Sequence, residues 1–294
     1  MGLCIFLTSL LEVKPVLSIT NDMSIIKKIV KYLFIKFNKR NRLNNMLVFN
    51  DWIGFQIVVN GFYEINELET LKNSLNNKLK ETTFLDIGSN IGNHSVFMSD
   101  FFESVKSFEP QIKTFKVLQL NTEKFKNITV YNYGIDEIER KTIFNIPINN
   151  IGSGSEYYEF ENSFKEEVLL KPLGKEFSEN VGLIKIDVEG NEYGVLKTLD
   201  KVIEKSSPLI TMELHNHNHK KTEILNFLKT NDYGEVFVLK TPKNKVQKTY
   251  NKIFGPSKKL KKLDINHVLS SNKNFNFLIF QKNNDDKLVC NNDK

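Results

Sequence analysis

The chain has 294 residues, 40% hydrophobic and 26% charged, which gives it the apolar material for a sizeable core and excludes wholesale disorder. Its two cysteines, Cys4 and Cys290, supply neither a disulfide framework nor metal-ligand spacing and fit a reducing, cytoplasmic setting. The formal charge of +6 is unevenly spread: residues 23–50 carry seven Lys or Arg and no acid, residues 240–262 carry nine lysines and no acid, and the remainder is left near −10.

The opening apolar run, Gly2 to Leu7, has no basic residue before it and is too short to span a bilayer. Ile25, Ile26, Ile29, Val30, Leu33 and Phe37 then fall at helical spacing between lysines, predicting a basic amphipathic helix. Such a helix either docks on the domain with its lysines in water or, through residues 24–42, contacts an anionic membrane surface. Residues 1–50 therefore read as an extension and 51–294 as one α/β domain. Leu68, Leu71, Leu75 and Leu79 predict a second helix.

From residue 83 short apolar runs alternate with amphipathic stretches. The runs are Thr83–Ile87, Val105–Phe108, Ile128–Tyr133, Leu183–Val188, Leu209–Leu214, Glu235–Leu239 and Phe275–Phe280, with helices expected near 92–102, 111–126, 191–204 and 219–230. Alternation of this kind predicts a doubly wound, mostly parallel sheet. Thr142–Ile148 and Glu167–Leu170 are further candidate strands, joined through the loop Gly152-Ser153-Gly154-Ser155, and the lysine-rich segment 241–272 reads as an insertion before the last strand.

Ligands of open α/β sheets bind at the carboxyl ends of the strands, and four such ends carry polar residues. The first strand runs into Asp86-Ile87-Gly88-Ser89-Asn90-Ile91-Gly92-Asn93-His94. Gly88 and Gly92 let the backbone approach a ligand closely, but the D-x-G-x-x-x-G spacing differs from the G-x-G-x-x-G that cradles a diphosphate, so a ligand without one is expected. Glu109 follows Gly88 by twenty-one residues, at the tip of the neighbouring strand, where a carboxylate can accept hydrogen bonds from both hydroxyls of a ribose. Asn132 ends the third run and could reach a base, although Gly134 and Asp136 equally suit a plain turn. The fourth segment, Ile186-Asp187-Val188-Glu189-Gly190-Asn191-Glu192, puts acids at the end of a buried strand. Lone carboxylates are costly there, which points to a ligand, a cation or a cleft, while Glu192 also suits a helix first turn.

Together with Tyr63, Glu64 and Glu67, these segments resemble the FkbM-type family of S-adenosylmethionine-dependent methyltransferases over about residues 60–240. The resemblance implies a Rossmann-like, seven-stranded sheet whose last strand, Asn274–Gln281, is antiparallel. It further implies S-adenosylmethionine held by Asp86, Gly88 and Asn90 around the methionine portion, by Glu109 at the ribose and by Asn132 near adenine, with Ser89, Gly92 and His94 in the same cofactor loop, His94 equally suited to packing at the helix start, and Asp187 and Glu189 bordering the transferred methyl. Ser89 stands where the family often has alanine. Many members methylate oxygens of sugars or natural products, so the expected partner is a saccharide or glycolipid-like acceptor.

Asp187, Glu213 and His215 are the candidates for general base. The alternating histidines of His215-Asn216-His217-Asn218-His219 raise a divalent-metal site as an alternative, but alternation sends extended side chains to opposite faces and a polar loop is preferred. The basic segments suit phosphate contacts yet lack interleaved aromatic platforms, so nucleic acid is not the expected partner.

Overall fold

A computed structural model describes residues 46–148, 150–174, 177, 180–215, 218, 220–239, 260–271 and 273–289. The expected basic helix at 24–37 and most of the 241–272 segment lie outside these residues. Two helices lead in, α1 (Trp52–Asn60) and α2 (Ile65–Ser74). The leucine pattern 68–79 predicts one helix, but the chain leaves it at Leu75 and re-enters a 3-10 turn over Asn77–Glu81, where the Asn76 side chain accepts from the Lys78 N–H. Asn76 is a better cap than a helix interior residue. All four leucines still reach one buried cluster.

Then follow β1 (Thr83–Ile87), α3 (Asn93–Met98), β2 (Ser104–Phe108), α4 (Ile112–Thr122), β3 (Ile128–Tyr131), β4 (Gly134–Ile135), β5 (Arg140–Pro147), β6 (Ser163–Lys171), β7 (Val181–Ile186), α5 (Glu192–Lys197), α6 (Asp200–Ser206), β8 (Leu209–Leu214), α7 (Lys221–Thr230), β9 (Glu235–Leu239), β10 (Leu260–Asp264), α8 (Ile265–Ser270) and β11 (Phe275–Gln281). The main sheet has the order β10-β9-β11-β8-β7-β1-β2-β3. The pairs β3/β2, β2/β1, β1/β7 and β7/β8 are parallel, and β11 runs antiparallel to both β8 and β9. This is the mostly parallel, Rossmann-like arrangement expected, with the antiparallel strand where the resemblance implied it.

The sheet has eight strands, however, not seven. The eighth, β10, with α8 after it, comes from residues 260–270 of the segment read as an insertion. It is an edge strand pairing antiparallel with β9. Lys261 and Lys262 point into solvent, and Lys262 pairs with Glu235 at 2.6 Å. Edge lysines guard a sheet against further pairing, and here they hid a strand behind a loop-like composition. The helix expected at 191–204 is likewise two, α5 and α6: Thr198 returns its hydroxyl to the Val195 carbonyl (2.8 Å), a local bond that competes with the helix ladder.

β7 is buried along its whole length. Ile184 and Ile186 join one core beneath α5, α6 and α7, and Leu183 joins the other beneath α2 and α3. Each fully buried aliphatic contributes about 1.5–3 kcal/mol, so the centre of the sheet is its most rigid part. A second, three-stranded sheet, β4-β6-β5, is formed by the two candidate strands between β3 and β7, which became β5 and β6, together with the short β4. Its connecting residues 150–157 fold back to the carboxyl ends of the main strands.

Candidate active site

The parallel register places the ends of β2, β1 and β7 side by side, with Ile87 opposite both Phe108 and Ile186. The chain after each strand therefore emerges at one edge, where a cavity of about 260 Å³ opens. Gly88, Asn90, Glu109, Asp187, Glu189 and Glu213 line it together, although they are spread over more than a hundred residues of sequence.

The loop after β1 owes its course to backbone that few side chains tolerate. Gly88 has φ +79°, and a Cβ on it would fall on the Asp187 carbonyl, so β1 and β7 approach here only with glycine. Asn90, at φ +49°, donates its backbone N–H to Glu109 Oε2 (3.0 Å), and Gln111 N–H donates to Oε1 (2.9 Å). Each oxygen of this carboxylate keeps a lone pair for a further donor. Glu109 is only 3% exposed, and burial pushes its pKa up to about 7 against the lowering pull of those two N–H groups. A buried carboxylate on a cavity wall, oriented by backbone donors, suits a vicinal diol such as a ribose.

Other expected residues support the site without lining it. Asp86 is fully buried beneath the loop, where Ser95 Oγ donates to Oδ2 (2.5 Å) and Lys185 Nζ lies 3.5 Å from Oδ1. Ser89 is buried and turns its hydroxyl back to the Asp86 carbonyl, and Gly92 caps α3 at φ +89°. His94 lies in a separate recess, Nε2 3.7 Å from Glu64, and burial drives its pKa well down. Asn132 is not among the residues that line the cavity. β3 ends at Tyr131, and the Asn132 amide donates to the carbonyls of Glu109 and Pro110 (2.9 and 3.1 Å). Those bonds strap the β2 loop in place.

At the other end Asp187, Glu189 and Glu213 crowd together. Glu189 adopts φ +52° and Gly190 φ +116°, the sharp turn from β7 into α5, and Ser155 Oγ donates to the Glu189 carbonyl (2.6 Å). Burial, then the Asp187 charge, push Glu189 up to about 7 and Glu213 up to about 9. His215 Nε2 lies 3.1 Å from Glu213 Oε2, in an adjoining recess that Asp187 and Glu213 also line. Glu192 accepts from Gly190 N–H and from Asn218 (3.0 and 2.7 Å) and thus anchors the start of α5. Among the described residues, no three His, Cys, Asp or Glu side chains are grouped to hold a metal ion; His217 and His219 lie outside them.

Several participants went unread in the sequence. Lys185 is 8% exposed, donates to the Gly88 carbonyl (2.9 Å) and lies 3.1 Å from Asp187 Oδ2. Burial opposes its charge, but Asp187 and Asp86 outweigh this and raise its pKa. A lysine inside the otherwise apolar Leu183-Ile184-Lys185-Ile186 was the available signal. Gln111 lines the cavity at 3% exposure, and its Oε1 has no hydrogen-bond partner. Trp52 and Tyr157, from α1 and the hairpin loop, are positions that no local motif marks, and they complete the wall with Tyr63, already part of the family resemblance.

A sheet of this order, with a glycine loop, a buried acid held by two backbone N–H groups and a carboxylate cluster at neighbouring strand ends, defines a Rossmann-like α/β protein. The model of the methyltransferase FkbM domain matches residues 86–236, just over half of the sequence, and the chain belongs to that family. No curated protein matches. Similar solved structures include the methyltransferase FkbM of Methylobacillus flagellatus KT, at 15% identity over 87% of this chain and 60% of that one (TM-score 0.42). Another is a putative methyltransferase of Streptococcus mutans in complex with SAH, at 14% identity over 73% and 94% (TM-score 0.37). A third is a putative RNA methyltransferase of Pyrococcus horikoshii, at 13% identity over 86% and 98% (TM-score 0.39). The chain spans 60% of the length of the first of these.

Proposed function

We propose that the chain is an S-adenosylmethionine-dependent O-methyltransferase acting on a hydroxyl of a saccharide or glycolipid-like acceptor. The observation that carries this reading is Glu109, buried on the cavity wall with both carboxylate oxygens oriented by backbone N–H groups, beside Gly88, whose missing Cβ lets the loop after β1 reach the Asp187 carbonyl. Glu109 holds the ribose, Gly88 and Asn90 border the methionine portion, and Asp187 and Glu189 face the sulfonium, whose positive charge matches theirs. When bound, the cofactor supplies an electrophilic methyl group. An acceptor oxygen aligned with that carbon would take the methyl group, leaving S-adenosylhomocysteine, and its hydroxyl proton would pass to the protein.

Glu213 takes that proton. It ionises more readily beside a positive charge, and His215 at 3.1 Å links it towards solvent. Asp187, held by Lys185, orients the hydroxyl, and alignment of this kind supplies much of the rate enhancement in a displacement. The faces of Trp52, Tyr63 and Tyr157, with the amides of Asn150 and Asn191, support a saccharide, which offers both apolar ring faces and hydroxyls. We assign the basic segment 24–42 to contact with anionic membrane: deleting residues 1–50 is expected to lower liposome binding while cofactor binding persists. Among the described residues, no helix is long and apolar enough to cross a membrane.

Calorimetry with S-adenosylmethionine tests the cofactor assignment. Wild type is expected to bind and Glu109→Ala to lose most of that binding; a folded wild type that does not bind sinks the reading. For chemistry, Asp187→Asn is expected to lower turnover far more than cofactor affinity, and equal losses would remove Asp187 from the transfer step.

A further inference from the structure

The cavity is charged with one sign. Its described lining holds the carboxylates of Glu109, Glu156, Asp187, Glu189 and Glu213 and no lysine, arginine or histidine. Two of these are accounted for. Arg140 neutralises Glu156 through a bidentate pair at 2.6 and 2.8 Å, and Glu109 stands at the cofactor end with its two N–H donors. Asp187 has Lys185 at 3.1 Å, but that ammonium also serves the buried Asp86 at 3.5 Å, so the three together remain negative. Glu189 and Glu213 are two further acids that can ionise beside it, and Glu64 stands in the recess that Asp187 and Glu213 also line. S-adenosylmethionine brings a single net positive charge, fewer than the acids gathered here, so the acceptor end keeps carboxyl groups that can ionise beside an entering cation.

A second observation is independent of the acids: Trp52, Tyr63 and Tyr157 line the acceptor end, and the faces of Trp and Tyr attract cations.

We propose that the acceptor is cationic: a saccharide bearing an amine, whose ammonium group sits among Glu189, Glu213 and the aromatic wall while a neighbouring hydroxyl receives the methyl group. This rests on the cavity being the methyl-transfer site and narrows its substrate class. Phosphorylated sugars and nucleic-acid backbones meet only repulsion there. The raised pKa values of Glu189 and Glu213, about 7 and about 9, agree: without a cation these groups hold protons, and an entering ammonium releases them.

The full chain, loaded with S-adenosylhomocysteine, is titrated with a glucosamine tetramer and with its fully N-acetylated counterpart at one ionic strength. The amine form is expected to bind about tenfold tighter or more, the effect of a well-placed charge pair, and to release protons, read as a binding heat that depends on the buffer. The preference is expected to fall below about threefold in the Glu189→Gln/Glu213→Gln variant. Equal binding, binding of neither tetramer, a preference for the acetylated form, or tight binding without proton release overturns the proposal. So does a preference that survives in the double variant, which would assign it to the acidic surface. Failure to bind S-adenosylhomocysteine at all strikes instead at the methyltransferase reading.

Discussion

The two ends of the cavity are built in different ways. The cofactor end hangs on the tips of β1, β2 and β7, adjacent strands locked by parallel hydrogen bonding and buried on both faces. The acceptor end is assembled from α1, the turn at Tyr63 and the β5–β6 hairpin, and side chains hold it: Arg140 to Asp136 and Glu156, Tyr157 to Asn191, Ser155 to the Glu189 carbonyl. The first arrangement follows from topology. The second rests on a few polar contacts near the surface, the kind of structure that varies in service of specificity.

If that division is right, the largest single effect lies at the cofactor end. Glu109→Ala removes the acceptor of two ribose hydrogen bonds, each worth about 1.5–3 kcal/mol when one partner is charged. The expected loss of S-adenosylmethionine affinity is therefore on the order of 100-fold or more, measured by calorimetry, with the melting temperature unchanged or raised because a buried carboxylate has been removed. A loss below about fivefold would move the ribose elsewhere.

Gly88→Ala comes next, because its methyl group would fall on the Asp187 carbonyl at a positive φ. Strain and overpacking together are expected to cost about 2–5 kcal/mol of stability, read from denaturant unfolding. A neutral result would mean that the β1 and β7 ends are not rigid.

The same contrast explains what was legible in the sequence. Strand ends are local: a run of β-formers followed by Gly88 or by Glu109-Pro110 announces both an element and its tip, so the sheet and the residues around Gly88, Glu109 and Asp187 could be named in advance. The end of β3 was less legible: the strand stops at Tyr131, two residues before its apolar run does, and a short β4 takes over in another sheet. Lys185 escaped because its role depends on partners ninety-nine residues upstream and two downstream. Trp52 and Tyr157 meet across a hundred residues without any shared pattern. The edge strand β10 was masked by the lysines that keep such an edge soluble.

At the acceptor end Arg140 offers a sharper test, since it touches the wall only through Glu156. Arg140→Ala leaves Asp136 and Glu156 without their cation, and the Arg140 hydrogen bond is the chief cause of the lowered Glu156 pKa. The hairpin loop with Tyr157 should loosen. We expect KM for the acceptor to rise about tenfold while S-adenosylmethionine affinity stays within about twofold, in steady-state kinetics beside calorimetry. Equal losses of both would show that the two ends are not separable.

Glu213→Gln carries the smallest expected effect on stability and probes the crowding of acids directly. The Glu213 pKa is raised from 4.5 to about 9, first by burial and then by Asp187, Glu64 and Glu189. As pH rises above 4.5 the unfolded chain gives up this proton while the folded chain keeps it, so stability falls with rising pH until about 9 and then levels. Glu109 and Glu189, both near 7, act with the same sign over the lower part of that window. Glutamine cannot ionise, and the partial exposure of the side chain screens the rest. At pH 8 the variant should melt about 2–4 °C above wild type, equivalent to about 1 kcal/mol, and the gap should close at pH 4.5. A saturating amine-bearing acceptor should close it too, by supplying wild type with the missing positive charge. A variant no more stable than wild type at pH 8 would mean that the acids at this end are already compensated, and the contrast between the two ends would lose its electrostatic half.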